Sequence, residues 1–171
     1  KDISINTSGS LLIGEANGDR VTGPADISLG SSGDLNVFNN SLNSVRSHFG
    51  TVTLSSSGNM EIGEFFSGQT ATIRGGTGVN LLPGGNLAIR IGSVVQADGT
   101  GEVFIMGGAA VGVLGVIQTN GGAVNIFTGP NTSFVTNSGA VAVINTAFNG
   151  ATGVDITINA DNIDITSPIN A

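Results

Sequence analysis

The chain has no cysteine, no tryptophan and no tyrosine, and it carries little charge. Without cysteine, disulfide bonds cannot stabilise the fold, and any redox compartment is open to the chain. Charged residues make up 10% of the sequence, whereas a typical globular domain has about 25%. Uncharged polar groups must therefore cover most of the surface.

Basic residues are especially scarce. A net charge of −7 results from twelve acidic residues and five bases, which are Lys1, Arg20, Arg46, Arg74 and Arg90. These bases form no cluster that could neutralise a run of phosphates, so we expect no nucleic-acid partner. We also expect no membrane span, because no apolar run reaches the roughly 18 residues of a membrane helix.

The chain begins at Lys1 instead of a methionine, and its first residues do not have the pattern that we expect of a signal peptide. We therefore expect either a processed product or a segment of a longer protein. Its length suffices for one hydrophobic core, so we predict that residues 1–171 form a single domain. What the chain has in abundance is glycine, with 28 residues, alongside Ser, Thr, Asn, Val and Ile.

One short strand pattern recurs along the sequence. Apolar residues two apart alternate with a residue that points the other way, which is typical of a half-buried strand. The copies occupy residues 2–5, 26–29, 51–54, 78–81, 102–105, 123–126 and 140–143. The spacing between copies begins near 25 residues and shrinks after Val124.

A second apolar pair follows the first strand at a fixed distance in five consecutive units. It occupies residues 11–13, 35–37, 60–62, 87–89 and 111–113. Small residues fill the corner between the two strands, at 7–9, 31–33, 56–58, 83–85 and 107–109. Glycine suits such a corner because it tolerates positive φ and close approach of the neighbouring coil.

A third, weaker apolar segment completes the early units, at Val45, at residues 71–73 and at residues 94–95. Three strands and three corners per unit predict an all-β fold, a right-handed parallel β-helix (β-solenoid) with triangular coils and strands stacked about 4.8 Å apart. We predict roughly seven coils. Residues 154–158 and 163–165 are expected on successive faces of the last one.

These rungs resemble the repeats of filamentous-haemagglutinin-type proteins and related two-partner-secreted bacterial adhesins. The resemblance rests on residues 153–166 (GVDITINADNIDIT), 117–126 (IQTNGGAVNI) and 32–37 (SGDLNV), which are similar to the family's Gly-x-Val-x-Ile and Asn-x-Gly-x-Ile sequences. It implies a secreted β-helix at the bacterial cell surface that acts in adhesion, aggregation or matrix formation. Members of the family are usually very long. The chain is therefore either an excised segment or a short subunit that regains length by polymerising.

We predict that the main partner is another copy of the chain. Neither end of the repeat carries a helix or a charged segment as a cap, and open strand edges readily pair with another chain. In the predicted head-to-tail contact, the first strand of one copy pairs with the open edge of the last strand of the next copy. The residues are Lys1, Asp2, Ile3, Ser4 and Ile5 on one side and Asn162, Ile163, Asp164 and Ile165 on the other.

The alternative is a segment of a long adhesin whose lateral faces bind a glycan or a cell-surface protein. Sugar binding usually uses exposed aromatic rings. Phe65 and Phe66 are the candidate exposed pair, because adjacent strand residues cannot both face inward, and we expect most of the other phenylalanines in the core.

Candidate catalytic and metal-binding residues are few, and we expect neither an enzyme nor a cofactor. The single histidine, His48, is expected in a solvated corner without a nucleophile beside it. Acids do not persist along one column of the repeat, where Asp2 and Asp26 are followed by residues of other kinds. Asp98 and Asp161 are isolated, and Ca²⁺ needs about six to eight oxygen ligands. Glu61 and Glu64 are better explained by solubility.

Arginine recurs at similar offsets in the early units, as Arg20, Arg46 and Arg74. We expect these side chains to form a short column at a solvated edge. Stacked like charges repel each other unless acids lie between them, and Asp19 or Asp26 are the candidates for that role.

Overall fold

The computed structural model describes residues 1–14, 20–38, 41–64, 69–136 and 143–171. Regular structure in these ranges consists of 21 short parallel strands and one 3-10 turn (Phe148–Gly150). Within them, no helix is long and apolar enough to cross a membrane.

The strands follow one another in groups of three, and each group is one coil. Coils 1 to 4 contain β1 (Ile3–Thr7), β2 (Leu11–Ile13), β3 (Val21–Gly23), β4 (Ile27–Ser31), β5 (Leu35–Val37), β6 (Ser41–Ser47), β7 (Thr51–Ser56), β8 (Met60–Ile62), β9 (Ala71–Gly75), β10 (Gly78–Pro83), β11 (Leu87–Ile89) and β12 (Val94–Ala97). Coils 5 to 7 contain β13 (Glu102–Met106), β14 (Val111–Val113), β15 (Val116–Thr119), β16 (Val124–Phe127), β17 (Ser133–Thr136), β18 (Val143–Asn145), β19 (Ile156–Asn159), β20 (Asn162–Asp164) and β21 (Ile169–Asn170).

Every third strand belongs to the same sheet, so three seven-stranded parallel sheets form the three sides of a solenoid. The first sheet has the order β1-β4-β7-β10-β13-β16-β19, the second runs from β2 to β20, and the third from β3 to β21. Six steps of about 4.8 Å separate the seven strands of a sheet, which gives a rod of roughly 29 Å. This arrangement confirms the predicted parallel β-solenoid with three-sided coils.

The core is a set of apolar columns along the axis. Because side chains alternate along a strand, every second residue points inward and meets its equivalent in the next coil. On the first sheet, one such column runs Ile27, Val52, Val79, Val103 and Val124, and all five side chains are buried. Each fully buried aliphatic side chain stabilises the fold by about 1.5–3 kcal/mol relative to an exposed one.

The corner between the first and second sheets requires small residues. A Cβ added at Gly108 would overlap the carbonyl oxygen of Gly84 in the coil before it, and one at Gly129 would overlap the carbonyl oxygen of Gly108. Consecutive coils therefore touch through their backbones here. The predicted small-residue corners separate the first and second strands of coils 1 to 5, although in four of them the first corner residue is still the last residue of the strand, namely Thr7, Ser31, Ser56 and Pro83.

We predicted that residues 140–143 form a strand of the first sheet, and this is wrong for Val143, the one residue of the range that the structure describes. Residues 140–142 lie outside the described residues, and Val143 belongs to β18, which pairs with β15 in the third sheet. The seventh strand of the first sheet is β19, which pairs with β16. The alternation of apolar residues is the same on every face, so it predicts a strand without saying on which side of the coil the strand lies. The predicted succession of the last strands is confirmed, because β19 and β20 occupy the first and second sheets of coil 7.

Candidate functional site: the ends and outer faces of the solenoid

Coil 1 leaves its inward-facing side chains partly uncovered. Ile5 is 40% exposed, whereas Leu29, its partner in register in coil 2, is 0% exposed. Ile3, Leu11 and Val21 are only partly buried against the core. In the described residues, β1, β2 and β3 each have a hydrogen-bonded neighbour on one side only. This end therefore presents both apolar side chains and open strand edges.

Coil 7 has the same character at the opposite end. Ile163 is 50% exposed and Ile165 is 43% exposed, whereas Phe134, which is paired with Ile163, is 0% exposed. Ile156, Ile158 and Ile169 are partly buried. These side chains occupy core positions of the repeat, and no further coil covers them within the described residues.

The predicted stacking residues are divided between different sheets. The strand of Ile3, Ser4 and Ile5 lies in the first sheet, where the opposite free edge is β19. Asn162, Ile163 and Asp164 form β20 in the second sheet, where the opposite free edge is β2. A pairing of β1 with β20 would turn the next copy by one face about the axis. A stack that continues all three sheets pairs β1 with β19 instead.

A ladder of polar side chains, which we call the corner ladder, links consecutive coils where the first sheet turns into the second. The N–H of Asp34 donates to Ser10 Oγ at 3.2 Å, and the N–H of Asn59 donates to Asp34 Oδ1 at 2.7 Å. The N–H of Asn86 donates to Asn59 Oδ1 at 3.0 Å, and that of Ala110 donates to Asn86 Oδ1 at 3.2 Å. Each side-chain oxygen thus binds a backbone N–H of the following coil.

A second link of this kind lies where the third sheet turns into the first. The N–H of Thr51 donates to Asp26 Oδ1 at 2.7 Å, and Asp26 and Thr51 occupy the same position in successive coils. One coil further, the hydroxyls of Thr51 and Thr77 are 3.1 Å apart. The side chain of the corner residue again binds a group of the following coil.

The outer face of the third sheet carries a polar column. Arg46, Arg74, Gln96 and Gln118 are successive partners in register. Arg74 Nε lies 2.8 Å from Asp98 Oδ2, and Gln96 Nε2 donates to Asp98 Oδ1 at 2.7 Å. Gln118 Nε2 donates to Gln96 Oε1 at 2.8 Å. Asp98 therefore neutralises one arginine of the column and orients its neighbour.

The predicted arginine column is confirmed only for two of its three members. Arg46 and Arg74 are paired, but the residue opposite Arg46 in β3 is Thr22, because Arg20 precedes the strand. Of the acids proposed to separate these charges, Asp26 accepts the Thr51 N–H instead. Asp19 lies outside the described residues.

The outer face of the first sheet carries an apolar patch formed by Leu82, Phe104, Met106 and Phe127. The rings of Phe104 and Phe127 are 5.8 Å apart between centroids, and Met106 is 51% exposed. Asn125 flanks these rings, and its Nδ2 donates to Glu102 Oε2 at 3.3 Å. We refer to the four apolar residues as the lateral patch.

The expectation that phenylalanine mainly serves the core is wrong for the described residues. Phe134 is fully buried, whereas Phe104 and Phe127 are half-buried on the outside and Phe49 is 79% exposed. Phe65 and Phe66, the predicted exposed pair, lie outside the described residues. The lateral patch brings two partly exposed phenylalanine rings into contact. The sequence reasoning missed it, although Phe104 stands between the inward residues Val103 and Ile105.

The residues considered for chemistry are dispersed. His48 is exposed in the corner after β6 and contacts the ring of Phe49, with centroids 6.3 Å apart. Glu61 forms an ion pair with Arg90, with Oε1 and Nε 2.6 Å apart. Asp161 accepts the backbone N–H of Asn131. Among the described residues, no group of three or more His, Asp or Glu side chains is placed to hold a metal ion.

The geometry thus offers two kinds of surface: ends with an uncovered core, and one outer face with an aromatic patch. Comparison of the chain with protein-family models, with curated proteins and with solved structures finds no significant match. The resemblance to filamentous-haemagglutinin-type repeats accordingly stays a prediction.

Proposed function

We propose that this chain is an extracellular structural subunit that stacks end to end into a filament at a bacterial surface. The observation that carries the proposal is the uncovered core at both ends, above all Ile5 in coil 1 and Ile163 in coil 7. A head-to-tail contact that does not close into a ring produces a filament, and axial stacking of a solenoid is such a contact. The proposal assigns no catalysis and no cofactor to the chain.

Association through the ends would remove from water the parts of these apolar side chains that are still exposed. Full burial of an aliphatic side chain gains about 1.5–3 kcal/mol, and the ends together expose several isoleucines at core positions. Association costs about 4–15 kcal/mol in lost translational and rotational freedom. Main-chain hydrogen bonds between the open strand edges would also fix the register in which two copies meet.

Electron microscopy and sedimentation velocity across a range of concentrations test the proposal. We expect rods that lengthen with concentration. Ile163→Lys places a charge on the uncovered end and should abolish the rods, whereas Ile91→Lys, at a residue that is 62% exposed beside β11, should leave them intact. Monodisperse particles one subunit long at every concentration would sink the proposal.

The second candidate function is binding of a glycan or a cell-surface protein by a lateral face of a long adhesin. The specific observation in its favour is the lateral patch, where two aromatic rings lie beside the amide of Asn125 and the carboxylate of Glu102. Aromatic rings stack on the apolar faces of sugars, and neighbouring polar groups can bind their hydroxyls.

A glycan array read with the Phe104→Ala and Phe127→Ala variants tests this candidate. We expect both variants to lose a hit, while Phe49→Ala, at an exposed ring remote from the patch in sequence, should keep it. A hit that survives both patch variants would contradict a lateral aromatic site.

A further inference from the structure

We propose that a second copy of this chain stacks in phase, so that its β1, β2 and β3 continue β19, β20 and β21, and that Asn162 and Asp155 specify this phase. The inference rests on the proposed end-to-end stacking and adds the identity of the paired strands and the residues that select them. It replaces the pairing of β1 with β20 that was predicted from the sequence.

Asn162 occupies the corner-ladder position of coil 7. Pairing in the second sheet joins Leu87 to Val111, Val111 to Phe134 and Phe134 to Ile163, and the ladder position immediately precedes each of these strand residues. Ala110 and Ser133 hold that position in coils 5 and 6, and Ala110 ends the run of side-chain acceptors that begins at Ser10. Asn162 is therefore the equivalent of Asn86, Asn59 and Asp34, and it is exposed. Its side chain has no hydrogen-bond partner among the described residues, whereas the side-chain oxygen at each of those three positions binds the N–H of the next coil.

The complementary donor lies at the other end of the solenoid. Ser10 is the first ladder residue, and its Oγ accepts the N–H of Asp34 in coil 2. In an in-phase stack, the N–H of Ser10 in the second copy lies above Asn162 Oδ1, as the N–H of Asn86 lies above Asn59 Oδ1. The contact between copies then repeats a contact that the chain already makes three times between its own Asx residues and following coils.

Asp155 is a similar acceptor at the corner between the third and first sheets. Register in the first sheet makes Asp2, Asp26, Thr51 and Asp155 equivalent, because each precedes the first inward residue of its strand. Asp26 Oδ1 accepts the N–H of Thr51 in the next coil. Asp155 is exposed and placed to accept the N–H of Asp2 in a second copy. Neighbouring acids at this corner are tolerated, since Asp2 already pairs with Asp26 in register.

The charge at this contact is complementary as well. The described residues of coil 7 carry Asp155, Asp161 and Asp164 and no basic residue. Lys1 directly precedes Asp2, so an in-phase stack brings its ammonium beside Asp155.

The unequal sides of the coil also favour the in-phase arrangement. Strands of the first sheet contain four to six residues, whereas six of the seven strands of the second sheet contain three and β17 contains four. All seven coils superimpose long sides on long sides. A copy turned by one face would set the five-residue β1 above the three-residue β20 and leave part of its edge unpaired.

Engineered cysteines discriminate the two phases in the full chain, which contains no cysteine of its own. Ser4 and Thr157 occupy one outward column of the first sheet, so S4C/T157C brings the thiols of two copies together only in the in-phase stack. S4C/D164C does so only if β1 lies on β20. Stacked strands place Cα atoms about 4.8 Å apart, within the usual range of a disulfide.

Under mild oxidation, we expect a ladder of covalent multimers from S4C/T157C and only monomers from S4C/D164C on a non-reducing gel. Multimers from S4C/D164C equal to or exceeding those from S4C/T157C would overturn the in-phase inference while leaving end-to-end stacking in place. Absence of rods and of multimers in all variants would overturn the proposed function itself.

The critical concentration for assembly tests the two acceptors. Asn162→Leu should raise it by roughly two- to tenfold, the value of one hydrogen bond, and Asp155→Ala by a similar or larger factor. Asn162→Asp keeps an acceptor and should stay within about twofold of the unsubstituted chain. Asn170→Leu, on the outer face of the same coil, is the matched control. Circular dichroism checks that each variant folds, and unchanged assembly of folded Asn162→Leu and Asp155→Ala would overturn their assigned role.

Discussion

At the scale of single residues, the corner ladder ties coils together without using any apolar surface. Asn59 accepts the N–H of Asn86 at 3.0 Å and its own N–H is bound by Asp34 at 2.7 Å. A hydrogen bond of this kind contributes about 0.5–1.5 kcal/mol net. The hydrogen bonds of the corner ladder follow one another along the axis, so a row of polar contacts runs parallel to the apolar core.

Substitution of Asn59 by alanine should lower the free energy of unfolding by about 1–2 kcal/mol, because its oxygen accepts both from the Asn86 N–H and from Asn86 Nδ2. Urea denaturation measures the change. Asn36→Ala, at a half-buried outward position of β5, should change stability by less than about 0.5 kcal/mol. Equal effects of the two substitutions would mean that the ladder contributes nothing.

Two glycines of coil 5 provide a matched test of backbone packing. Gly108→Ala should destabilise the chain by about 1–3 kcal/mol, because the new Cβ overlaps the Gly84 carbonyl oxygen. At Gly112 the nearest atom to an added Cβ is the Leu87 carbonyl oxygen at 3.8 Å, so Gly112→Ala should be neutral or stabilising by up to about 1 kcal/mol. Thermal unfolding of both variants measures the difference. A Gly112→Ala variant that is destabilised as much as Gly108→Ala would contradict the prediction.

At the scale of strands, the protection of backbone amides against hydrogen exchange should fall from the middle of the rod to its ends. Strands β7, β10 and β13 have paired neighbours on both sides and fully buried inward residues. In the part of the chain that the structure describes, β1 and β19 have one paired neighbour each, and their inward isoleucines are partly exposed. Hydrogen exchange measured at dilution should therefore be fastest in coils 1 and 7. Uniform protection along the chain would be inconsistent with open ends.

The strands also show how far sequence reasoning carries. The six-residue step between the first two strands held in coils 1 to 5 because every corner there has the same backbone length and small residues. It gave the wrong face for Val143, since two-residue alternation is common to all three sides. The two-residue strand β21 follows Pro168 and offers too short a pattern to recognise.

The candidate site was only partly predictable for a related reason. The open ends follow from the repeat itself, and Asn162 was among the residues expected there. The corner ladder was missed, although a polar residue precedes the second strand in successive coils at Asp34, Asn59 and Asn86. Its partners are backbone N–H groups 24 to 27 residues away, and no sequence pattern marks a backbone donor.

At the scale of the whole molecule, stability should depend on protein concentration. If stacking covers the ends, assembly binds the folded chain and not the unfolded one, and mass action then raises the apparent Tm. We expect Tm to increase across a hundredfold range of concentration, and Ile163→Lys to remove that dependence by disrupting the coil 7 end. A Tm that is independent of concentration in the unsubstituted chain would contradict stacking.

The backbone hydrogen bonds of all three sheets point along the rod, from one coil to the next. A pull applied between the ends therefore loads the coils in series, and the terminal coil peels away first. One coil contains 24 residues between Ile3 and Ile27, which extend to roughly 80 Å of chain when released. Under tension, a single chain held at its two ends would lengthen in discrete steps, each dissipating the work of separating one coil from the next.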